Sequence, residues 1–196
     1  MSYTENRVYV KDFGTLPVGS DLLVPVPTTP GHKQQYIHKV VLADFMAMSE
    51  AGEADLGFPF LVASGHRPPL WATIEAYNTD MIKQYGSVAE GRKWRAFASA
   101  HQTGLAFDFG CGGLAPVSKT IPQQKQTPLY KWTIENAYRW GWHPYLVETW
   151  HLEHRVSLAS WQSGEPDAPP EPVTTEQDPN DVCIDLPPTL PYSPSS

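Results

Sequence analysis

At 196 residues with 41% apolar content, the chain can bury one good core. Its net charge of -7 has a single origin: all 14 Lys and Arg precede residue 156, whereas Glu165, Asp167, Glu171, Glu176, Asp178, Asp181 and Asp185 lie in a stretch without basic residues, so residues 1–162 carry 14 charges of each sign. A neutral body without a basic run offers no electrostatic footprint for a nucleic-acid partner, and no apolar run approaches the length of a membrane span.

The first twenty residues contain no apolar run behind a basic start, so no signal peptide is expected in this chain. Residues 1–37 show turns and prolines but little periodicity. From His38 to Met48, Val41, Phe45 and Met48 fall at helical spacing and predict a short helix. Phe60-Leu-Val-Ala63 reads as a buried strand that delivers Ser64-Gly65-His66-Arg67 to a loop. Pro68-Pro69 blocks helix until about Trp71, after which Ile74, Tyr77, Met81, Ile82 and Tyr85 form an apolar stripe that Gly86 can terminate. Leu105 to Phe109 alternates as a strand does, with Asp108 within it. Thr127-Pro128 is a helix start, with Trp132, Ala137 and Tyr138 facing inward before Gly141. Tyr145 to Trp150 is the last predicted strand.

From Ser163 onward, nine prolines in 34 residues leave too little apolar surface to offset ordering entropy. The expected organisation is therefore one domain over residues 1–162 and a disordered, acidic, Pro-rich tail over 163–196. Helices and strands mix without a βαβ repeat, which predicts an α+β domain with a central antiparallel sheet flanked by helices. Cys111 and Cys183 are too few for a stapled scaffold and are expected to be free thiols, and a monomer is expected.

Two segments carry chemistry: Ser99-Ala-His101-Gln-Thr-Gly104-Leu-Ala-Phe-Asp108 and Glu148-Thr-Trp-His151. Gly104 permits a turn between His101 and Asp108, so that a loop imidazole and a strand carboxylate can converge on one ion. Two imidazoles and one carboxylate form a three-ligand set for catalytic zinc with an open fourth position. Glu148 is then a spare carboxylate able to accept and return a proton. Arg67, charged at any relevant pH, suits a polarised carbonyl or a substrate carboxylate. Glu148 and His151 have opposite parity, so a regular strand would aim them at opposite faces, and a shared site demands a turn or bulge between them. Glu153 and His154 read as supporting or surface groups, His66 and His143 as structural or pocket-lining. Trp140, Trp142 and Trp150 read as core.

These residues resemble the zinc D-alanyl-D-alanine peptidases, a family that includes vancomycin-resistance D,D-carboxypeptidases, D,D-dipeptidases and several phage endolysins. The family signature Ser-x-His-x-x-Gly-x-Ala-x-Asp is matched by Ser99, His101, Gly104, Ala106 and Asp108, and its Glu-x-x-His element by Glu148 and His151 with Trp150 before the histidine. Ser64-Gly65-His66-Arg67 resembles the upstream arginine segment, with His66 where Tyr is usual. The resemblance spans residues 38 to 155. It implies that His101, Asp108 and His151 bind zinc, that Glu148 is the general base and acid, that Arg67 contacts the substrate carbonyl, and that Ser99 helps to seat the peptide. Ala72 stands where carboxypeptidase members often have Gln, and Arg67-Pro68 resembles the dipeptidase branch. The implied activity is a zinc metallopeptidase acting on bacterial cell-wall peptides, foremost as a D-alanyl-D-alanine carboxypeptidase. The alternatives are a peptidoglycan endopeptidase or endolysin, and a non-catalytic hedgehog-like zinc-binding module. Its partner would be a peptidoglycan peptide, met in the periplasm or outside the cell, or at lysis if the chain is a phage product.

Overall fold

The computed structural model describes residues 10–93, 95–110 and 114–167. Cys111, Cys183 and the tail beyond Asp167 lie outside the described residues. After a 3₁₀ turn at Val10–Phe13, strands β1 (Leu23–Val26) and β2 (Gln35–His38) pair antiparallel, with Leu23 opposite His38. A 3₁₀ turn at Lys39–Val41 leads into α1 (Leu42–Leu56), and β3 (Val62–Ser64) follows. Then come α2 (Ile74–Tyr85), α3 (Val88–Arg92), a 3₁₀ turn at Ala100–Thr103 and β4 (Ala106–Phe109). The remainder is α4 (Ile121–Gln124), α5 (Pro128–Asn136), β5 (Trp142–Pro144), β6 (His151–His154) and α6 (Leu158–Ser163). Strands β3, β4, β6 and β5 form, in that order, an antiparallel four-stranded sheet. The architecture is the expected single α+β domain.

Strand alternation divides this sheet into a core face and a site face. On β4, Phe107 meets Phe45 of α1 edge-on at 5.2 Å and Trp142 at 4.8 Å, and Phe109 meets Phe60 at 6.0 Å. These rings, with Leu152, Val41 and Met48, are the buried centre. Ala106 and Asp108 have the opposite parity, as do His151 and Glu153 against Leu152. The chemistry-bearing side chains therefore share the face turned away from the aromatic core.

Several expectations are corrected. The last strand is β6, not Tyr145–Trp150; that segment is the connection between β5 and β6, and its Val147 is 58% exposed. Its alternation mimics a strand, but Asp108 pairs in register with His151, which sets the strand six residues later than the pattern indicates. Helix α1 starts at Leu42 and runs to Leu56, because its Ala- and Glu-rich second half is helical without an apolar stripe and Gly57 ends it in the left-handed conformation (φ 77°). His38 belongs to β2. Strand β3 begins two residues after Phe60, although Phe60 is buried. In α2 only Tyr77 and Met81 of the stripe are buried, and Ile74 and Ile82 face outward. Helix α5 starts as read, with Thr127 capping the Tyr130 N–H and Pro128 in the first turn, but Tyr138 is exposed. The unforeseen β1 and β2 are four residues each, and Pro25 interrupts the first. Ser163 closes α6, and Asp167 accepts hydrogen bonds from the Ser157 N–H and the Ser160 hydroxyl, so the described fold runs a few residues past 162.

His38 gives the fold a pH dependence. Its Nε2–H donates to the Trp161 carbonyl (2.9 Å), and its Nδ1 accepts from the Val40 N–H (3.1 Å). The neutral ring is fully satisfied, and a second proton would face another donor. Burial pushes this imidazole below its ordinary pKa, Lys39 adds to the effect, and the Trp161 carbonyl opposes it. The unfolded chain therefore takes up the proton first as the pH falls through about 6.5, the ordinary histidine value. The contribution of His38 to stability is complete above that value and declines below it. Thermal melts at pH 7.5 and 5.5 should show an acid-induced loss that is smaller in His38→Gln; an equal loss would assign it elsewhere.

Candidate metal centre and active site

The site is assembled from four short segments. Ser99 accepts a hydrogen bond from the His101 N–H through its hydroxyl oxygen (3.3 Å) and so caps the 3₁₀ turn that carries His101. Gly104 ends that turn at φ 73°, where an added Cβ would sit 2.9 Å from the His38 backbone nitrogen. The chain then reverses into β4, as the spacing requires, and brings Asp108 beneath His101. Asp108 lies opposite His151 across the β4–β6 ladder.

Three ligand atoms converge. His101 Nε2 lies 3.2 Å from both His151 Nδ1 and Asp108 Oδ1, and His151 Nδ1 lies 2.9 Å from Asp108 Oδ1. The outer ring nitrogens fix this orientation. His101 Nδ1–H donates to the Gly65 carbonyl at 2.7 Å, and His151 Nε2–H donates to Glu153 Oε1 at 3.0 Å. In its neutral form each imidazole thus turns its remaining lone pair inward, the arrangement that metal-binding histidines adopt. A tetrahedral zinc with bonds of ~2.0–2.1 Å has ligand–ligand edges of about 3.3 Å. The three observed edges need only a few tenths of an ångström of expansion, so these residues fit a zinc ion.

Charge leads to the same conclusion. Burial pushes the Asp108 carboxyl up, but the charges and hydrogen bonds of His101 and His151 outweigh it and hold it well below the usual carboxylate range. Burial pushes His151 down, yet its hydrogen bonds to Asp108 and Glu153 and their charges raise it to about 9. Burial keeps His101 below its ordinary value despite the pull of Asp108. Among the protein groups alone, the carboxylate therefore demands a positive partner, and a proton on His151 supplies it. A divalent cation does so with more charge and three ligands.

Arg67, Ser99, Glu148, Trp71 and Trp150 line, with the three donors, a cavity of about 600 Å³, within the range of small-ligand sites. Arg67 donates its backbone N–H to the His101 carbonyl (3.2 Å), and its guanidinium lies 3.9 Å from Asp108 Oδ2. Glu148 stands in the turn that its parity with His151 demanded: its N–H donates to the Tyr145 carbonyl (3.1 Å), and its carbonyl accepts the His151 N–H (3.0 Å). The buried Thr149 hydroxyl donates to Gln124 Oε1 and ties this turn to α4. All six residues singled out from the sequence thus reach one cavity. Trp150 lines it and is not core, whereas Trp142 is fully buried. His66 donates through Nε2 to the Leu16 carbonyl, a structural role.

Two supporting groups hold the imidazoles in place: Glu153, in one of the two roles its sequence position suggests, and Gly65. Glu153, 1% exposed, shares the His151 face because it is two residues further along β6. Gly65 is required because a Cβ there would lie 2.3 Å from the Tyr36 carbonyl oxygen, and the close approach sets the carbonyl that holds His101. Glu153→Gln keeps the shape but weakens the acceptor behind His151. It should lower zinc affinity by roughly 10–100-fold in a competition titration with a chelating dye; unchanged affinity would reduce Glu153 to packing.

The fold and this donor set define an α+β domain with a buried His-Asp-His centre open to a cavity. Neither a scan of protein families nor a comparison with curated proteins returns a match. Among solved structures, the chain is similar to the LdcB LD-carboxypeptidase, described for its peptidoglycan recognition, at 22% identity and a TM-score of 0.54 over 78% of each chain. It also matches VanYB in complex with D-alanine-D-alanine at 23% identity and a TM-score of 0.43, over 78% of this chain and 89% of that one. The likeness to LdcB is one of fold. No helix among the described residues is long and apolar enough to cross a membrane.

Proposed function

We propose that the protein is a zinc-dependent metallopeptidase that hydrolyses bacterial cell-wall peptides, acting as a D-alanyl-D-alanine carboxypeptidase. The observation that carries the reading is the convergence of His101 Nε2, Asp108 Oδ1 and His151 Nδ1 at one wall of a cavity that Glu148 also lines. The fold shared with LdcB, a carboxypeptidase described for peptidoglycan recognition, supports the substrate class.

His101, Asp108 and His151 would hold the ion, which supplies Lewis acidity toward water and a carbonyl oxygen. Glu148 accepts a proton from the attacking water as its oxygen bonds to the scissile carbonyl carbon. It returns that proton to the leaving nitrogen as the C–N bond breaks. The Arg67 guanidinium stabilises the negative charge that develops on the carbonyl oxygen. The Ser99 oxygen already accepts from the His101 N–H, which leaves its hydroxyl proton to donate to the peptide. Gly65 and Glu153 keep both imidazoles aimed inward throughout.

Mass spectrometry of products tests this. The zinc-loaded protein would be given a muramyl pentapeptide ending in D-Ala-D-Ala, a tetrapeptide stem, free D-Ala-D-Ala and intact peptidoglycan, each repeated with Glu148→Gln. Loss of one D-Ala from the pentapeptide is the expected result. Cleavage confined to the tetrapeptide would move the assignment to the L,D bond, to the free dipeptide a dipeptidase, and to whole wall a lysin. No product anywhere would leave a zinc-binding module.

A further inference from the structure

The cavity holds a cation that the proposed mechanism does not use. Arg95 lines it alongside Arg67, and no acidic residue among those described pairs with its guanidinium. Its backbone is fixed at both ends: the Arg95 N–H donates to the Gly91 carbonyl (2.9 Å), and the Arg95 carbonyl accepts the Tyr77 hydroxyl (2.7 Å). Tyr77, 1% exposed, packs edge-on against Trp71, another cavity residue, at 4.9 Å. A buried tyrosine thus couples two parts of the cavity wall, one of which presents an arginine with no acidic partner among the described residues.

The charge count says what such an arginine meets. The cavity lining includes two arginines and two carboxylates, Asp108 and Glu148. These cancel; a divalent cation adds two positive charges and the buried Glu153 behind His151 removes one, so the site keeps an excess positive charge, a field that favours an anionic substrate. Arg67 already faces Asp108, and Glu148 is committed to proton transfer. Resting on the peptidase reading above, we propose that Arg95 anchors the free C-terminal carboxylate of the peptide and thereby restricts the site to chain ends. A guanidinium presents a planar pair of donors to a carboxylate and binds its two oxygens at once. An internal peptide bond offers no such partner.

The test uses N-acetyl-L-Lys-D-Ala-D-Ala and its C-terminal amide, titrated calorimetrically into zinc-loaded Glu148→Gln protein with Arg95 intact, changed to Gln, or changed to Lys. With Arg95 intact the acid should bind roughly 10- to 100-fold more tightly than the amide. Arg95→Gln should remove that preference with little effect on amide binding or zinc content, and Arg95→Lys should recover part of it. In the active protein, Arg95→Gln should raise KM for the acid more than it lowers kcat. A preference for the acid that survives Arg95→Gln would overturn the proposal, as would equal binding of acid and amide to the protein with Arg95. Failure of both peptides to bind, with zinc in place, would instead overturn the peptidase reading and this inference with it.

Discussion

Glu148→Gln should slow hydrolysis by roughly 10²–10⁴-fold, the usual contribution of a positioned acid–base group, without releasing zinc. The substitution is nearly isosteric, and the turn around residue 148 is held by backbone hydrogen bonds to Tyr145 and His151 that do not involve the side chain. The amide cannot take a proton from water, so the loss should fall on kcat while substrate affinity persists. Steady-state kinetics and zinc content measured on the same preparation separate the possibilities. Loss of zinc would make Glu148 a ligand, and an unchanged rate would remove it from the chemistry.

Removing a ligand should have the other large effect. His101→Ala, Asp108→Ala and His151→Ala each leave two donors, and each should lose zinc, activity and the stability that zinc binding adds. His151→Ala should be the most damaging to the fold itself, because its ring contacts both Asp108 and the buried Glu153. Breaking such a buried pair costs about 3–5 kcal/mol. Urea melts with and without added zinc, read beside zinc content, check this. Any of the three variants retaining stoichiometric zinc would refute the ligand assignment.

The site was more legible in the sequence than the fold around it. The ten residues from Ser99 to Asp108 specify a cap, a helical turn, a left-handed glycine and a strand, all local instructions that the structure follows. The parity conflict between Glu148 and His151 correctly required a turn between them. What stayed hidden depended on pairing with distant residues. Strand β6 takes its position from Asp108, not from its own alternation, and β1 and β2 are too short to show periodicity, with Pro25 interrupting the first. Arg95 is exposed, and no motif marks it; only the cavity brings it beside the other site residues. Of the supporting and surface roles open to Glu153 in the sequence, the structure selects the supporting one, and the two-residue offset from His151 along β6 is the signal that puts both on one face.

The proposed function rests on His101, Asp108 and His151 holding one zinc ion. The most direct measurement is native mass spectrometry of chelator-stripped protein titrated with zinc, alongside His101→Ala. The unsubstituted chain should take up one zinc ion, and the variant none at the same concentration. A chain that stays metal-free at saturating zinc, or a variant that binds as well as the unsubstituted protein, would contradict it.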